Sequence, residues 1–319
     1  MFKINLSKVA KRMIGLGAAA AMASAGIAGT AHADVFWGTS FYGSGYWGGA
    51  QLWKVNTSDG NVNVIKNYPS TTATLDGGGI TSFSAIAQTP NGRLYVTVST
   101  TKTSGDRADY LAELNSSNGA IDTYWNITNE TSGAGIDSLI AAGNNMLYGI
   151  ESPNSSGAGF VKINLSNGNF SSASVQGNAG PGAYWYSSGG MAMDPQTGVY
   201  YAAFSNASGS SSGYILNTIN TTTGNGTTGS NTDINGMNGL AFTKNGTLWA
   251  GSFTNEDLYT INSLATGGNT FRYDLSTSLS GNITSLNNTP EAGTLGLLSI
   301  GVLALLLRPR RRMWRKKIT

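Results

Sequence analysis

The segment Asn238–Trp249 reads NGLAFTKNGTLW and contains the pattern on which the fold prediction depends. A short stretch of small and apolar residues, Asn238–Phe242, is followed by the turn Lys244-Asn245-Gly246 and then by the apolar-aromatic pair Leu248-Trp249. Asn and Gly tolerate the positive φ of tight turns, so this pattern predicts one strand, a turn and a second strand.

The apolar-aromatic pair recurs along the chain at intervals of 59, 53, 52 and 49 residues. The five copies are Val35-Phe36, Leu94-Tyr95, Leu147-Tyr148, Val199-Tyr200 and Leu248-Trp249. After each copy an apolar residue is followed by Asn and, four or five residues later, by Gly; these begin at Asn56, Asn115, Asn164, Asn220 and Asn262. Each unit therefore predicts four strands in about fifty residues, which is typical of a propeller blade.

We predict an all-β fold, a β-propeller of about five four-stranded blades over residues 34–288. The repeats resemble those of kelch, NHL and quinoprotein-like propellers, without a diagnostic motif of any of them. The first unit lacks an inner strand, because Asp34 leads directly into Val35-Phe36, so we expect Leu279–Leu286 to supply it and close the ring.

Thr221–Thr232 is predicted to be a flexible polar loop. The alternatives are a β-sandwich and an outer-membrane barrel; a C-terminal inner-membrane helix disfavours the barrel.

Residues 1–33 have the composition of an export signal. A basic region containing Lys3, Lys8, Lys11 and Arg12 precedes a small, weakly apolar stretch, residues 13–28. Ala31 and Ala33 flank His32 in the A-x-A pattern of a signal-peptidase site. We therefore expect the mature chain to begin at Asp34.

The C-terminal residues 289–319 contain an apolar run, Gly293–Leu307, of fifteen residues. As a helix the run would span about 22 Å, which is less than the ~30 Å hydrocarbon core of a membrane. It therefore predicts a short transmembrane helix, which needs either local thinning of the bilayer or flanking side chains that reach the headgroups. The basic residues behind it are Arg308, Arg310, Arg311, Arg312, Arg315, Lys316 and Lys317. They predict a cytoplasmic tail by the positive-inside rule and disfavour the alternative, a buried core helix.

The residues Pro290, Glu291 and Ala292 stand immediately before this run. The order of motif, apolar helix and basic cluster resembles the PEP-CTERM sorting signal, over about thirty residues of the chain. In that family a Pro-Glu-Pro motif, a transmembrane helix and an Arg-rich tail are handled by an integral-membrane exosortase; here Ala292 stands in place of the second Pro. The resemblance implies anchoring in the inner membrane with the body on the periplasmic side, then release or attachment at the cell surface. The implied partners are signal peptidase and an exosortase-type enzyme.

Composition excludes several classes of function. Between the two ends the body carries eight Lys and Arg against fifteen Asp and Glu, a net charge of −7, which excludes a basic nucleic-acid-binding surface. The chain has no Cys, and its single His, His32, belongs to the expected signal. Ser-His-Asp and Cys-His catalysis are therefore excluded from the mature chain, as are zinc sites built from His or Cys.

Carboxylates and aromatic rings remain as candidate functional groups. The local acidic groupings are Asp106 with Asp109, Glu130 with Asp137, and Glu256 with Asp257. None has the spacing of an EF-hand or an RTX repeat, and solvated loop charge is the favoured interpretation. Calcium is the metal that these oxygen ligands suggest, and no catalytic, metal or cofactor residue is assigned. Rings in Gly-rich stretches suit stacking against sugars, with packing between blades as the favoured alternative; they are Tyr46, Trp47, Tyr184, Trp185 and Tyr186.

The sequence thus predicts an exported, surface-sorted propeller that acts as a binding or structural module, with extracellular polysaccharide as its expected partner. The competing hypothesis is a carboxylate-dependent, calcium-assisted enzyme that acts on polysaccharide in the propeller channel. Three or more Asp, Glu or Asn side chains converging at a channel mouth would favour the enzyme. A channel lined by small and apolar residues, with aromatic residues exposed on loops, would favour binding.

Overall fold

Each apolar-aromatic pair begins at, or within one residue of, the start of a strand, as the repeat predicts. In the computed structural model Leu94 begins its strand, and Leu248 does the same in the last repeat. The structure describes residues 34–42, 48–102, 107–128, 135–152, 158–179, 188–205 and 213–288. Within these ranges all regular elements are strands, and there is accordingly no apolar helix of membrane-spanning length.

The strands form five antiparallel sheets, which we call blades 1 to 5. Blade 1 contains β1 (Val35–Tyr42), β2 (Gly49–Asn56), β3 (Val62–Pro69) and the last strand, β21 (Asn282–Asn288). Blade 2 contains β4 (Thr74–Leu75), β5 (Gly78–Gln88), β6 (Leu94–Thr101), β7 (Arg107–Leu114) and β8 (Ile121–Asn126). Blade 3 contains β9 (Ile136–Gly143), β10 (Met146–Glu151), β11 (Phe160–Ser166) and β12 (Asn169–Gln176).

The last two blades follow the same order. Blade 4 contains β13 (Ser188–Met193), β14 (Tyr200–Ser205), β15 (Tyr214–Ile219) and β16 (Gly226–Thr227). Blade 5 contains β17 (Met237–Phe242), β18 (Leu248–Ser252), β19 (Asp257–Ile261) and β20 (Asn269–Asp274). The prediction of about five four-stranded blades is confirmed, with an additional two-residue strand in blade 2.

The ring closes as the sequence predicts, with the end of the chain completing the first blade. Strand β21 pairs with β1 from Phe36 opposite Asn288 to Phe41 opposite Asn282. The closing strand starts three residues later than expected, because the amide of Leu279 is bonded to the carbonyl of Leu275 in a turn, at 2.9 Å. The innermost strands β21, β5, β9, β13 and β17 contact one another in that order, and β17 contacts β21 again. The five blades therefore form a closed ring.

The innermost strands approach one another closely on both sides of β21. The amide of Ile86 donates to Ser285 Oγ at 3.2 Å, and the amide of Gln88 donates to Asn287 Oδ1 at 3.1 Å. On the other side, a Cβ placed on Gly239 would lie 2.8 Å from the amide nitrogen of Leu286. Only glycine allows this approach, so β17 and β21 pack with almost no space between their backbones.

The hydrophobic core is divided among the five contacts between neighbouring blades. One cluster of buried apolar residues lies at each contact. Between blades 5 and 1, for example, Phe36 and Trp53 pack against Trp249 and Leu258. The ring of Phe36 meets that of Trp249 edge-on at 6.0 Å. Burial of apolar area therefore joins each blade to its neighbours.

The Asn/Gly turns do more than reverse the chain. Their carbonyls accept hydrogen bonds from tyrosines of the preceding blade, through Tyr68 to Gly119, Tyr95 to Gly168 at 2.5 Å, and Tyr273 to Thr57 at 3.1 Å. In blade 3 the turn is a two-residue hairpin at Asn167 and Gly168, whose φ values of 50° and 84° match a type I′ turn. The repeated turns therefore also connect the blades around the outer part of the ring.

Candidate ligand site at one mouth of the channel

The channel of the closed ring has two mouths. They are formed by different ends of the innermost strands, because all five of these strands run in the same direction. Side chains alternate between the faces of a strand, so every second residue of an innermost strand can face the channel. The amino-terminal halves of these strands meet at one mouth, and their carboxyl ends meet at the other. The two mouths differ sharply in chemistry.

The mouth formed by the amino-terminal halves of the innermost strands is polar, and we call it the polar mouth. It holds a cavity of about 350 Å³. The polar side chains that line it are those of Ser82, Ser84, Asp137, Asn238 and Thr284. Its aromatic residues are Phe41, Phe253 and Phe83, the last of which is completely buried in the core between blades 1 and 2. Four innermost strands contribute polar groups, which therefore converge on one space from around the ring.

Hydrogen bonds hold several of these residues in place. Asp137, the second residue of β9, accepts through Oδ1 from the hydroxyl of Ser152. The hydroxyls of Thr284 and Thr39 lie 2.9 Å apart and share a hydrogen bond. The amide of Phe253 donates to the carbonyl of Gly236 at 2.5 Å, which fixes the backbone that carries this ring. The site is thus built on strands and on a hydrogen-bonded turn.

The mouth formed by the carboxyl ends of the innermost strands is apolar, and we call it the apolar mouth. It holds a cavity of about 190 Å³, lined mainly by residues of blades 3 to 5, including Met191, Met193 and Phe242. The polar side chains in the described lining are the carboxamides of Gln88, Asn287 and Asn288. Hydrogen-bonding groups are scarce here, so this mouth is less suited to a hydrophilic ligand.

Both ends of the described body also lie at the apolar mouth. Asn288, the last described residue, lines its cavity. Asp34, the first, accepts through Oδ2 from the amide of Lys244 at 3.0 Å, next to the end of β17. Ring closure places the two ends together, since the start of β1 pairs with the end of β21.

Of the predicted acidic residues that lie in the described ranges, Asp137 alone lines the polar cavity. Asp109 was expected in a solvated loop, and this is wrong: it lies in β7, is 9% exposed and accepts from the hydroxyl of Ser99 at 2.6 Å. Burial of a carboxylate is tolerated because such hydrogen bonds replace those to water. Glu256 immediately precedes β19 and Asp257 is the first residue of that strand; neither lines the cavity.

The remaining predicted site residues lie outside the described ranges. These are the aromatic candidates Tyr46, Trp47, Tyr184, Trp185 and Tyr186, the acids Asp106 and Glu130, the predicted signal residues Ala31 and Ala33, and the whole segment from Pro290 to Lys317, with the helix predicted at 293–307. Among the residues that the structure does describe, no three Asp or Glu side chains are grouped to hold a metal ion.

Sequence reasoning missed Ser82, Ser84, Asn238 and Thr284 as site residues. A signal for two of them was present. In the apolar stretches Ser84-Ala85-Ile86-Ala87 and Asn238–Phe242 the first residue is polar, at the end of the stretch that reaches the polar mouth. A polar residue at the start of an otherwise apolar stretch of an inner strand is therefore the pattern that these two residues share.

Three carboxylates crowd one another on blade 5, away from the cavity. Asp257 lies directly opposite Asp274 in the β19–β20 register, and Glu256 precedes Asp257 with a φ of 60°. Burial raises the pKa of the Glu256 carboxyl above its ordinary value of 4.5, and repulsion from Asp274 and Asp257 raises it further. The folded state therefore binds this proton more tightly than the unfolded chain, and the stability that it contributes at low pH is lost as pH rises through the folded pKa.

We expect Glu256→Gln to stabilise the fold at pH 7 by about 0.5 kcal/mol, a small effect because solvent screens the group. The gain should disappear below about pH 4, where the wild-type carboxyl is protonated as well. Thermal unfolding at several pH values measures this difference. Asp122→Asn on β8 is the control for the loss of one negative charge, and an equal gain in that variant would contradict the assignment to Glu256.

No protein-family model and no curated protein matches the chain. Similar solved structures include a putative 6-phosphogluconolactonase from Bacteroides fragilis, 11% identical over 82% of this chain and 99% of that one, with a TM-score of 0.41. TolB from Acinetobacter baumannii is 12% identical over 81% of this chain and 67% of its own, with a TM-score of 0.41. The PQQ-bound aldose sugar dehydrogenase from Streptomyces coelicolor is 15% identical over 60% of this chain and 62% of its own, with a TM-score of 0.38. These similarities concern the fold and carry no activity over to this chain.

Proposed function

We propose that this chain is an exported β-propeller that binds carbohydrate at its polar mouth. The observation that carries the proposal is the lining of the cavity, where hydroxyls, an amide and a carboxylate stand beside the partly exposed phenylalanines Phe41 and Phe253. A pyranose presents hydroxyl groups at its edge and C–H groups on its faces. The polar groups suit the first and the rings suit the second.

The size of the cavity supports a small ligand. Its volume of about 350 Å³ falls near the lower end of the range of about 300–1,000 Å³ for small-molecule sites. Such a space suits a single sugar unit or the end of a polysaccharide chain. The described lining contains no Lys or Arg, which favours neutral or amino sugars over uronic acids.

The carboxylates favour binding over catalysis. A glycosidase of the common types needs two carboxyl groups on either side of the scissile bond, about 5–9.5 Å apart. In the described part of the polar cavity, Asp137 is the one carboxylate and Asn238 the one amide. The polysaccharide-acting enzyme considered above needs a second acid that this lining does not supply, so a binding module fits these residues better.

Export and sorting form the second part of the proposal. They are supported by the sequence of the two ends, the signal pattern that finishes at Ala33 and the motif, apolar run and basic cluster between Pro290 and Lys317. The proposed route is cleavage by signal peptidase, anchoring in the inner membrane and processing by an exosortase-type enzyme. An extracellular polysaccharide matrix is the proposed destination and partner.

A glycan screen of the chain, with and without calcium, tests the binding activity. We expect a neutral or amino sugar to bind, and Phe253→Ala and Asn238→Ala each to weaken the interaction by at least about tenfold, the scale of one lost stacking or buried polar contact. Asn288→Ala at the apolar mouth is the matched control and should bind as the wild type does. Absence of binding across the screen, or equal loss in the control, would contradict the proposal.

A further inference from the structure

The outermost strand of each blade has one edge with no strand partner in the described structure. These strands are β3, β8, β12, β16 and β20. A free edge presents unpaired N–H and C=O groups that can pair with another chain, and proteins commonly block it with charge, proline, bulges or short length. The five edges of this ring can be compared directly, because they occupy equivalent positions.

Four of the five edges carry such a block. Strand β3 contains Lys66 and Pro69, β8 contains Asp122, and β20 contains Arg272 and Asp274. Strand β16 is only two residues long. Each of these devices makes addition of a further strand unfavourable.

Strand β12 is the exception. It is eight residues long, reads NFSSASVQ and contains neither a charged residue nor proline. A bulge at Ser171 interrupts its pairing with β11, but the register from Ser172 to Gln176 is regular. Val175 on this strand is 43% exposed, among the largest exposures of any apolar side chain in the described residues.

The surroundings of β12 are also nearly free of charge. Between residues 158 and 179 the sequence contains a single charged residue, Lys162 on β11. The body as a whole has a net charge of −7, so two copies repel each other over most of their surface. The edge of β12 is where two copies can approach with the least repulsion.

We propose that two copies of this chain associate by antiparallel pairing of their β12 strands about a two-fold axis at Ser174. This register places Ser172 opposite Gln176 and Ala173 opposite Val175 of the second copy, with no charge brought against a like charge. The strand is its own complement, as a two-fold interface requires. The two Lys162 side chains, each one strand behind, stand about 14 Å apart across three strand spacings, beyond the screening length of about 8–10 Å at physiological salt.

A single cysteine tests this pairing in the full-length chain, which contains no cysteine of its own. In the proposed dimer the two Ser174 Cβ atoms lie about 4.5–5.5 Å apart, close to the distance that a disulfide spans. Under mild oxidation we expect Ser174→Cys to form a covalent dimer at least about tenfold faster than Asn63→Cys on the blocked edge of β3, since pairing raises the local thiol concentration. Both variants share the same tail, so association through the tail contributes equally to each.

A charge placed on the edge provides the second test. Val175→Lys, added to Ser174→Cys, should reduce crosslinking to the level of the Asn63→Cys variant. Val64→Lys on β3, also added to Ser174→Cys, is the matched control, because Val64 is similarly exposed, at 36%. This variant should crosslink as fast as Ser174→Cys alone. Circular dichroism establishes that each variant is folded. Crosslinking of Ser174→Cys no faster than that of Asn63→Cys, or crosslinking that persists with Val175→Lys, would overturn the proposal.

Discussion

A chain that ends at Leu279 is expected not to fold, whereas one that ends at Thr289 should fold and remain free of the membrane. The shorter chain lacks β21, and blade 1 then loses its innermost strand and its contacts with both neighbouring innermost strands. Ile283 and Leu286 are almost completely buried, and each such side chain contributes about 1.5–3 kcal/mol. Together with the lost strand pairing, this approaches the whole stability of a typical domain, about 5–15 kcal/mol.

Near-ultraviolet circular dichroism and thermal unfolding of the two truncated chains measure this difference. The chain ending at Thr289 is the control, since it retains every strand and lacks only the proposed sorting segment. A cooperative unfolding transition in the shorter chain would show that ring closure is dispensable. Failure of the longer chain to fold would show that residues after Thr289 belong to the core.

The second large effect is expected from Gly38→Ala in β1. Gly38 lies opposite Trp53 in the β1–β2 register, and a Cβ at this position would lie 2.2 Å from the Cη2 atom of that indole. Trp53 is completely buried between blades 5 and 1, so the ring has no free space into which it can move. We expect a loss of about 3 kcal/mol or more in the free energy of unfolding, because overpacking forces strained rotamers or backbone shifts.

A double-mutant cycle separates this clash from other effects of adding a methyl group. In a Trp53→Leu background the methyl group has space, so Gly38→Ala should cost less than about 1 kcal/mol, a coupling of about 2 kcal/mol or more between the two positions. Denaturant unfolding of the four proteins supplies the values. Equal costs of Gly38→Ala in both backgrounds would contradict the packing of Trp53 on Gly38.

The fold could be predicted from the sequence because its signals are local and repeated. The apolar-aromatic pairs and Asn/Gly turns each specify a strand or a reversal within a few residues, and their regular spacing specified the number of blades. The missing inner strand of the first unit even indicated how the ring closes. Thr221–Thr232 is where the local signal misled: this polar stretch was expected to be flexible, yet it contains β16 and is held by bonds such as that from the Leu216 amide to the Ser230 carbonyl at 2.9 Å.

The candidate site was much harder to predict, because its residues are far apart in the sequence. Ser84, Asp137, Asn238 and Thr284 come from four different blades, and no short motif links them. Their shared property is a register position on an innermost strand, which is defined only once the strands are placed. Asp109 was wrongly predicted to be exposed, because its sequence context is polar. In the structure it lies in a strand, and its carboxylate accepts a hydrogen bond from Ser99.

Hydrogen exchange of the full-length chain tests the closed ring most directly, through the backbone amides of β21. The structure predicts that amides of residues 283–287 exchange as slowly as those of β17, because both strands lie in the innermost layer and open only when the ring opens. Exchange of the β21 amides at the rate of an unprotected chain terminus, with β17 still protected, would contradict closure of the propeller by its last strand.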